Sequence, residues 1–574
     1  MSGNGMSERK RLILFRWIVF LSMFFLVLAL YGFQVGQAGK YVQLASQNRL
    51  RFIRIPAARG DILDANGTPL ATNVKTFDLM GYPLDLKKEG RLEETASFLS
   101  NLGIPVTVST LGSMVDRQYD VPYNAVTVLP NLTMAQIATM VSDPEFPDYL
   151  FPLPVSRRVY PSGPLVSHIL GYVGEVTKKD LETLSHGDYR GGDVIGKGGV
   201  EQFYEETLRG SPGEESIEVD ARGRRVRVLD RKEPVPGQTI RLTVDFGAQS
   251  LAAELMAGRK GAVFAMDVQN GDVKVLYSSP TFDINPLAWG VSSREWNRLL
   301  NDPERPMMNR VISGTYPPGS PFKVVTLYAA LAEGAITERT TYNCTGAFRL
   351  GDRVFRCWKR TGHGRVDIID SLKESCGVYF FQAGLKTGID ALVYWSSQFG
   401  IGERTDIDLP GEAPGVIAGK EWKRANMREN WYPGDTVNYS IGQGYLLVTP
   451  VQVAVLYAAI ANGGTLVRPR LVAERPLKTR SLDLSEKNLG ILRKGLREVV
   501  RGGTGRAAGG FGVELSGKTG TAQNPHGDDH AWFVGYAPAE NPRYVAIAIV
   551  EGGGKGSSVA APVVGRLLAY LCRR

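Results

Sequence analysis

Residues 319–334 read GSPFKVVTLYAALAEG: a turn-forming glycine, then Ser320, Pro321 and Lys323, then a run of mostly apolar helix formers. Proline suits the first position of a helix, so the pattern predicts a helix that starts at this serine. Residues three apart share a helix face, which sets the Ser320 hydroxyl beside the Lys323 amine. The helix mouth, with its outward N–H groups, favours negative charge developing there. A hydroxyl next to an amine is the minimum for a serine nucleophile with its own base. A helix cap followed by a solvated lysine looks the same, so S-x-x-K alone does not decide the chemistry.

Two further stretches change that. LSGKTGTAQ (515–523) precedes the strand-like AWFVGYA and YVAIAIVEGG. Lys518, Thr519, Gly520 and Thr521 on a strand offer a cation, hydroxyls and a residue without a side chain, against which an extended peptide could lie. Read alone, it is a basic edge strand with a glycine. Between the two, SLKESCGVYFFQAGL (371–385) supplies Ser375 in a helical or helix-connecting segment. The order S-x-x-K, S-x-x, K-T-G is the motif set of the serine penicillin-recognising enzymes.

The likeness covers nearly the whole chain. PAARGDILDANGTPLATN (56–73) and VIGKGGVEQFYEETLRGSPG (194–213), with Arg59, Gly196, Gly199, Glu201, Tyr204, Arg209 and Gly210, resemble the non-catalytic motifs of class B, monofunctional penicillin-binding proteins. GAVFAMDVQNGDV (261–273), WYPGDTVNYSIGQGYLLVTPVQ (431–452) and AAIANGG (458–464) resemble their transpeptidase signatures, and the closest likeness is to the elongation-type members. Class A relatives would need a glycosyltransferase domain with its own acidic motif, and β-lactamases lack the long N-terminal region.

The resemblance implies an α+β protein: a transmembrane helix, an extended α/β pedestal, and a penicillin-recognising serine transpeptidase domain with an antiparallel sheet flanked by helices. The expected divisions are a cytoplasmic tail (1–11), a signal anchor (12–35), a pedestal or dimerisation-type domain (36–236) and the transpeptidase domain (237–574). Length agrees, since 574 residues exceed one ordinary core. The net charge of +9 is spread along the chain and reads mainly as a solvated mixed surface; no nucleic-acid partner is expected. No internal repeat or low-complexity segment is evident.

Trp17–Val35, WIVFLSMFFLVLALYGFQV, is close to the ~20 residues that span a bilayer. Arg9, Lys10, Arg11 and Arg16 precede it and hold the N-terminus in the cytoplasm by the positive-inside rule. A cleaved signal peptide is the competing reading, with VGQAG (35–39) a poor cleavage site. The expected location is the inner membrane, single-pass, with the catalytic domain in the periplasm.

As the resemblance implies, Ser320 would attack the carbonyl of a terminal D-Ala-D-Ala, with Lys323 taking its proton. Ser375 would bridge Lys323 and Lys518 and return a proton to the leaving D-Ala. Backbone N–H groups of Ser320 and Thr521 would form the oxyanion hole, and Lys518, Thr519 and Thr521 would hold the substrate carboxylate, beside Gly520. The activity is that of a serine D-Ala-D-Ala transpeptidase/carboxypeptidase inhibited by β-lactams. It would work in wall elongation with a SEDS-family glycosyltransferase and elongation-complex proteins, without an organic cofactor. Gly377 stands where the family has Asn or Asp, removing a side-chain hydrogen bond. That departure supports an alternative: a weakly catalytic scaffold that activates the glycosyltransferase.

Cys344, Cys357, His363 and Cys376 form C-x12-C-x5-H-x12-C. This ligand set suits tetrahedral zinc, but a Cys344–Cys357 disulfide across NCTGAFRLGDRVFRCW (343–358), or buried free thiols, fit the spacing too. The resemblance favours structural zinc, because some elongation-type relatives bind it with Asp, His and Cys around a W-K-x-x-G-H-G element kept here as Trp358 to Gly364. Cys572 reads as unrelated. His530, Asp435, Gln443, Tyr445 and Trp358 read as rim or packing residues.

Overall fold

The computed structural model describes residues 7–40, 50–117, 125–183, 189, 193–219, 225–524 and 527–573. An N-terminal helix, Glu8–Tyr31, continues as a wider turn to Gly36, 29 residues in all with a mean hydropathy of 2.5 in its most apolar window, and none of that window is buried. At about 1.5 Å per residue it is long enough to cross a bilayer, and it extends beyond the apolar run to include Arg9, Lys10, Arg11 and Arg16.

The chain divides into two compact units. The first takes in Lys75–Ser156 and Ser211–Pro236 together with the chain up to Ala58. One part is a three-stranded antiparallel sheet of Leu50–Ile55, Gly213–Val219 and Arg225–Lys232. Another packs the helices Arg91–Asn101 and Val108–Arg117 on the strand Val126–Leu132, with Phe98, Leu99, Leu111 and Val128 in its core.

The second unit comprises Gly237–Arg574 plus two earlier segments, Arg59–Val74 and Arg157–Gly210. A buried ionic cluster fastens those segments: Glu201 accepts from Arg59 at 2.8 Å and from Arg158 at 2.7 Å, and Arg59 also reaches Glu205 at 2.9 Å. Arg158 donates to the Gly60 carbonyl at 2.8 Å, and Tyr204 to Asp408 at 2.7 Å.

The centre of this unit is a five-stranded antiparallel sheet: β1 (Gly261–Asp267), β2 (Val273–Ser279), β3 (Ser516–Ala522), β4 (His530–Ala537) and β5 (Tyr544–Val550), in the order β2-β1-β5-β4-β3. Side chains alternate across a strand, so each face has its own core. Val263, Ala265, Phe533, Ala546 and Ala548 face the C-terminal helix Ala560–Cys572 and the helix Phe246–Met256. Phe264, Met266, Trp532, Val534 and Ile547 face the other core. There the helix Pro450–Ala461 is buried along its whole length, as its continuous apolar sequence requires. Strand β3 forms one edge of the sheet.

Candidate active site

The nucleophile segment begins as a 3-10 turn, Ser320–Phe322, and continues as α1 (Lys323–Ala332). Gly319 enters it at φ +59°, and the segment around Gly442 lies directly on it: a Cβ at Gly442 would come within 2.2 Å of the Gly319 carbonyl. Two glycines thus interlock backbone to backbone, which no side chain at Gly442 would permit.

Ser375 lies between α2 (Ile368–Lys373) and α3 (Gly377–Thr387). Its φ is +54°, the left-handed region that costs an L-residue with a side chain about 1–2 kcal/mol. The turn is held by Ser375 N–H to the Leu372 carbonyl at 3.1 Å and Cys376 N–H to the Ser371 carbonyl at 3.0 Å. In this conformation the Ser375 hydroxyl reaches two partners: it donates to Ser320 Oγ at 2.9 Å and accepts from Lys323 Nζ at 3.1 Å. Lys323 also donates to the Ser375 carbonyl at 2.9 Å. The line runs Ser320, Ser375, Lys323, so the serine expected to bridge two lysines instead links the first lysine to Ser320. Lys518 bonds to the Thr519 carbonyl at 3.2 Å.

Both lysines are buried, at 3% and 0% exposure. Burial lowers Lys323 to about 8, opposed by the negative charge of Cys357. Burial, then the nearby Lys323, lowers Lys518 well below the ordinary amine range. Two amines in one dry site cannot both hold protons cheaply.

Along β3, Lys518 and Gly520 share one face, and Thr519 and Thr521 the other. An added Cβ at Gly520 would lie 2.6 Å from Pro321 Cδ and 2.9 Å from Trp532 Cβ. The missing side chain therefore lets the strand pack on the Ser320 turn, a reason the sequence did not suggest. Thr519 is nearly buried and donates to Thr504 Oγ1 at 2.8 Å; Thr521 is exposed. Sequence reasoning missed Thr504. Its only signal was the glycine-rich RGGTG (501–505), which reads locally as a helix stop.

Gly377 opens α3. A Cβ there would sit 3.2 Å from the Phe381 ring and 3.7 Å from Cys357 Cα. Cys357 thus packs beside the position where the resemblance led to the expectation of an amide or carboxyl side chain.

That element is a hairpin, Ala347–Leu350 and Arg353–Arg356, with Cys344 and Cys357 flanking it. All four cysteines are free thiols. The ligand atoms of Cys344, Cys357, His363 and Cys376 all lie within 4.8 Å of one another. His363 Nδ1 is 3.5 Å from Cys344 Sγ and 3.6 Å from Cys357 Sγ. A tetrahedron with bonds of ~2.3 Å to sulfur and ~2.0 Å to nitrogen has an S–N edge of about 3.5 Å, so the donor set fits zinc. His363 Nε2 is buried without a hydrogen-bond partner. The Cys376 thiol donates to Cys357, which brings Cys357 down to about 4 and pushes Cys376 far up.

The remaining candidates are peripheral. Trp358 is 60% exposed, its indole N–H anchored on the Glu374 carbonyl at 2.9 Å. Asp435 pairs with buried Lys423 at 2.7 Å. His530 accepts from Gly552 N–H at 3.2 Å and lies against Tyr316.

A family profile described as the penicillin binding protein transpeptidase domain matches residues 261–569, and one described as the penicillin-binding protein dimerisation domain matches residues 54–242. The Haemophilus influenzae protein named peptidoglycan D,D-transpeptidase MrdA is 34% identical over 604 aligned positions, covering 99% of this chain and 92% of that protein. The solved complex between penicillin-binding protein PBP2 and MreC from Helicobacter pylori matches with a TM-score of 0.83 and 30% identity, over 91% of this chain and 99% of that one. A structure on the coordination of polymerization and crosslinking by a peptidoglycan synthase complex matches with a TM-score of 0.73 and 31% identity, over 99% of each chain.

Proposed function

The chain belongs to the class B penicillin-binding proteins, as a peptidoglycan D,D-transpeptidase of the elongation type, and from that premise we propose that Ser320 is its nucleophile and Lys323 its base, acting through Ser375. The observation that carries this reading is the unbroken contact from Ser320 Oγ through Ser375 Oγ to a buried Lys323 Nζ, at 2.9 and 3.1 Å.

In the neutral state that burial favours, the Lys323 amine accepts the Ser375 proton while Ser375 accepts that of Ser320. Ser320 Oγ then bonds to the carbonyl carbon of the penultimate D-Ala. N–H groups of Ser320 and Thr521 hold the resulting oxyanion. The proton returns along the same hydroxyl line to the departing D-Ala amine as the peptide C–N bond breaks. An amine of a neighbouring stem peptide next attacks the acyl-serine, forming the cross-link and freeing Ser320. Strand β3, at the sheet edge, offers backbone groups to the extended donor, and Lys518, Thr519 and Thr521 take its carboxylate. β-Lactams follow the first half of this path and acylate Ser320.

Cys344, Cys357, His363 and Cys376 are the residues that would hold a structural zinc. When bound, the ion supplies a rigid cross-link between the hairpin and the start of α3. Cys376 follows Ser375 directly, so fixing it fixes the Ser375 turn.

We also assign the Glu8–Gly36 helix as a single-pass anchor in the inner membrane, with the catalytic unit in the periplasm. The partners that fit are a SEDS-family glycosyltransferase and elongation-complex proteins, in line with what the solved relatives are described with. The alternative of a weakly catalytic scaffold that activates the glycosyltransferase rests only on Gly377 and is not favoured. The test is labelled penicillin on wild type and Ser320→Ala: one stable adduct on Ser320 is expected, and label retained by the variant would overturn the assignment.

A further inference from the structure

Thr504 lies in the Gly502–Gly505 turn that follows the helix Glu486–Arg501, and it touches elements of both the second and third motifs. Its N–H donates to the Lys373 carbonyl at 3.2 Å, and its hydroxyl donates to the same carbonyl at 3.5 Å. The Thr519 hydroxyl donates to Thr504 Oγ1 at 2.8 Å. The turn is pressed into place: a Cβ at Gly503 would lie 2.5 Å from the Lys373 carbonyl oxygen, and one at Gly505 3.1 Å from the Phe533 ring. Lys373 is two residues from Ser375, and Thr519 follows Lys518. One side chain thus joins the backbone before the Ser375 turn to the strand of the third motif.

We propose that Thr504 is a positioning residue for the donor carboxylate, acting as a hydroxyl relay whose direction reverses when the carboxylate binds; the inference rests on the reading that Thr519 holds that group. Without substrate, Thr519 donates to Thr504. A carboxylate is a stronger acceptor than a hydroxyl, because a hydrogen bond to a charged group is about twice as strong as a neutral one. Thr519 therefore turns its proton to the carboxylate. Its oxygen then needs a donor, and Thr504 supplies one by giving up the Lys373 carbonyl, a contact already at the limit of hydrogen-bond length. The resulting chain, Thr504 to Thr519 to carboxylate, polarises along its length and strengthens the last bond. No proton changes owner. Two hydroxyls rotate, and the Lys373 carbonyl keeps the Thr504 N–H.

The test uses the full-length protein in detergent, with benzylpenicillin and its methyl ester, which lacks the carboxylate. Acylation is followed by intact mass over a range of concentrations, so that binding before acylation separates from the acylation step. Thr504→Val should slow acylation by the free acid about tenfold at low concentration, through weaker binding, with little change at saturation. Thr504→Ser should recover the wild-type rate within about twofold, the ester should react alike with all three proteins, and Thr504→Val added to Thr519→Val should cost nothing more. An unchanged acid rate in Thr504→Val, or an equal loss for acid and ester, would overturn the relay while leaving the role of Thr519 intact. If Thr519→Val itself leaves the acid-to-ester ratio unchanged, the carboxylate reading fails and the relay falls with it.

Discussion

Ser375 combines a strained backbone with two side-chain contacts, and two variants separate these. Ser375→Ala and Ser375→Gly both remove the hydroxyl between Ser320 and Lys323, so both should acylate more slowly by ~10²-fold or more. Of the two, glycine adopts φ +54° without strain, so Ser375→Gly should be more stable than Ser375→Ala by about 1 kcal/mol in thermal or denaturant unfolding. Equal stability would mean the turn stores no strain. Lys323 gives a pH signature. Its folded value of about 8 lies below the ordinary amine value of 10.5, so the neutral base appears as pH rises, and acylation should climb with pH and level off above about 8. The stability sign follows. Between the folded and unfolded values the unfolded chain binds the extra proton, so stability rises with pH in that window and the full penalty applies below it. Lys323→Met, of similar size but uncharged, should melt higher than wild type at neutral pH while losing acylation; a lower melting temperature would argue against a buried, penalised amine. That Ser320 and Lys323 stand side by side was legible because their three-residue spacing is local. That Ser375 contacts Ser320 was not, since it depends on a left-handed turn no local pattern announces, and Gly520 packs on Pro321 through contacts nearly two hundred positions apart.

At the scale of elements, the cysteine hairpin and the start of α3 form one structural piece, and its stability should depend on metal. The fit of the four donor atoms predicts about one zinc per chain in protein prepared without chelators, measured by elemental analysis. His363→Ala should lower that content and slow acylation of Ser320, because the ligand next to Ser375 loses its tether. Protein from its native compartment that carries a stoichiometric Cys344–Cys357 disulfide and no metal would refute the site. Sequence left zinc, disulfide and free thiols open because spacing says which residues are near in the chain, not which sulfurs converge. The folded hairpin decides convergence by placing Cys344 and Cys357 at its two ends. The strands around the site were largely legible: the apolar runs at 530–537 and 544–550 are buried strands, as their length and continuous apolar character suggest. Residues 239–245 (TIRLTVD) contribute a two-residue strand, Ile240–Arg241; beyond it the Leu242 N–H donates to the Leu63 carbonyl, Thr243 N–H to the Leu471 carbonyl and Asp245 N–H to the Lys274 carbonyl.

Across the whole molecule, the catalytic unit is assembled from three separate stretches of chain, and a buried ionic cluster joins the earlier two to each other. Glu201 is fully buried and meets Arg59 and Arg158 at 2.8 and 2.7 Å, with Arg59 and Arg158 themselves 8% and 2% exposed. A buried pair need not stabilise relative to an apolar core, but removing one partner leaves charge without compensation. Glu201→Ala would leave Arg158 with the Gly60 carbonyl and Arg59 with Glu205. The expected cost is about 3–5 kcal/mol, a large share of a typical domain's stability. In a unit of this size that corresponds to a fall in melting temperature on the order of 4–6 °C. Arg59→Ala should do less damage than Glu201→Ala, since Arg158 still compensates the carboxylate. Melting is measured on the full chain, with penicillin acylation at low temperature as a second readout. A destabilised but folded protein should still acylate Ser320 when cold, because the cluster does not touch the site. Loss of acylation at temperatures where the variant remains folded would show instead that the cluster acts on the chemistry, and an unchanged melting temperature would show that the earlier segments are held by their apolar contacts alone.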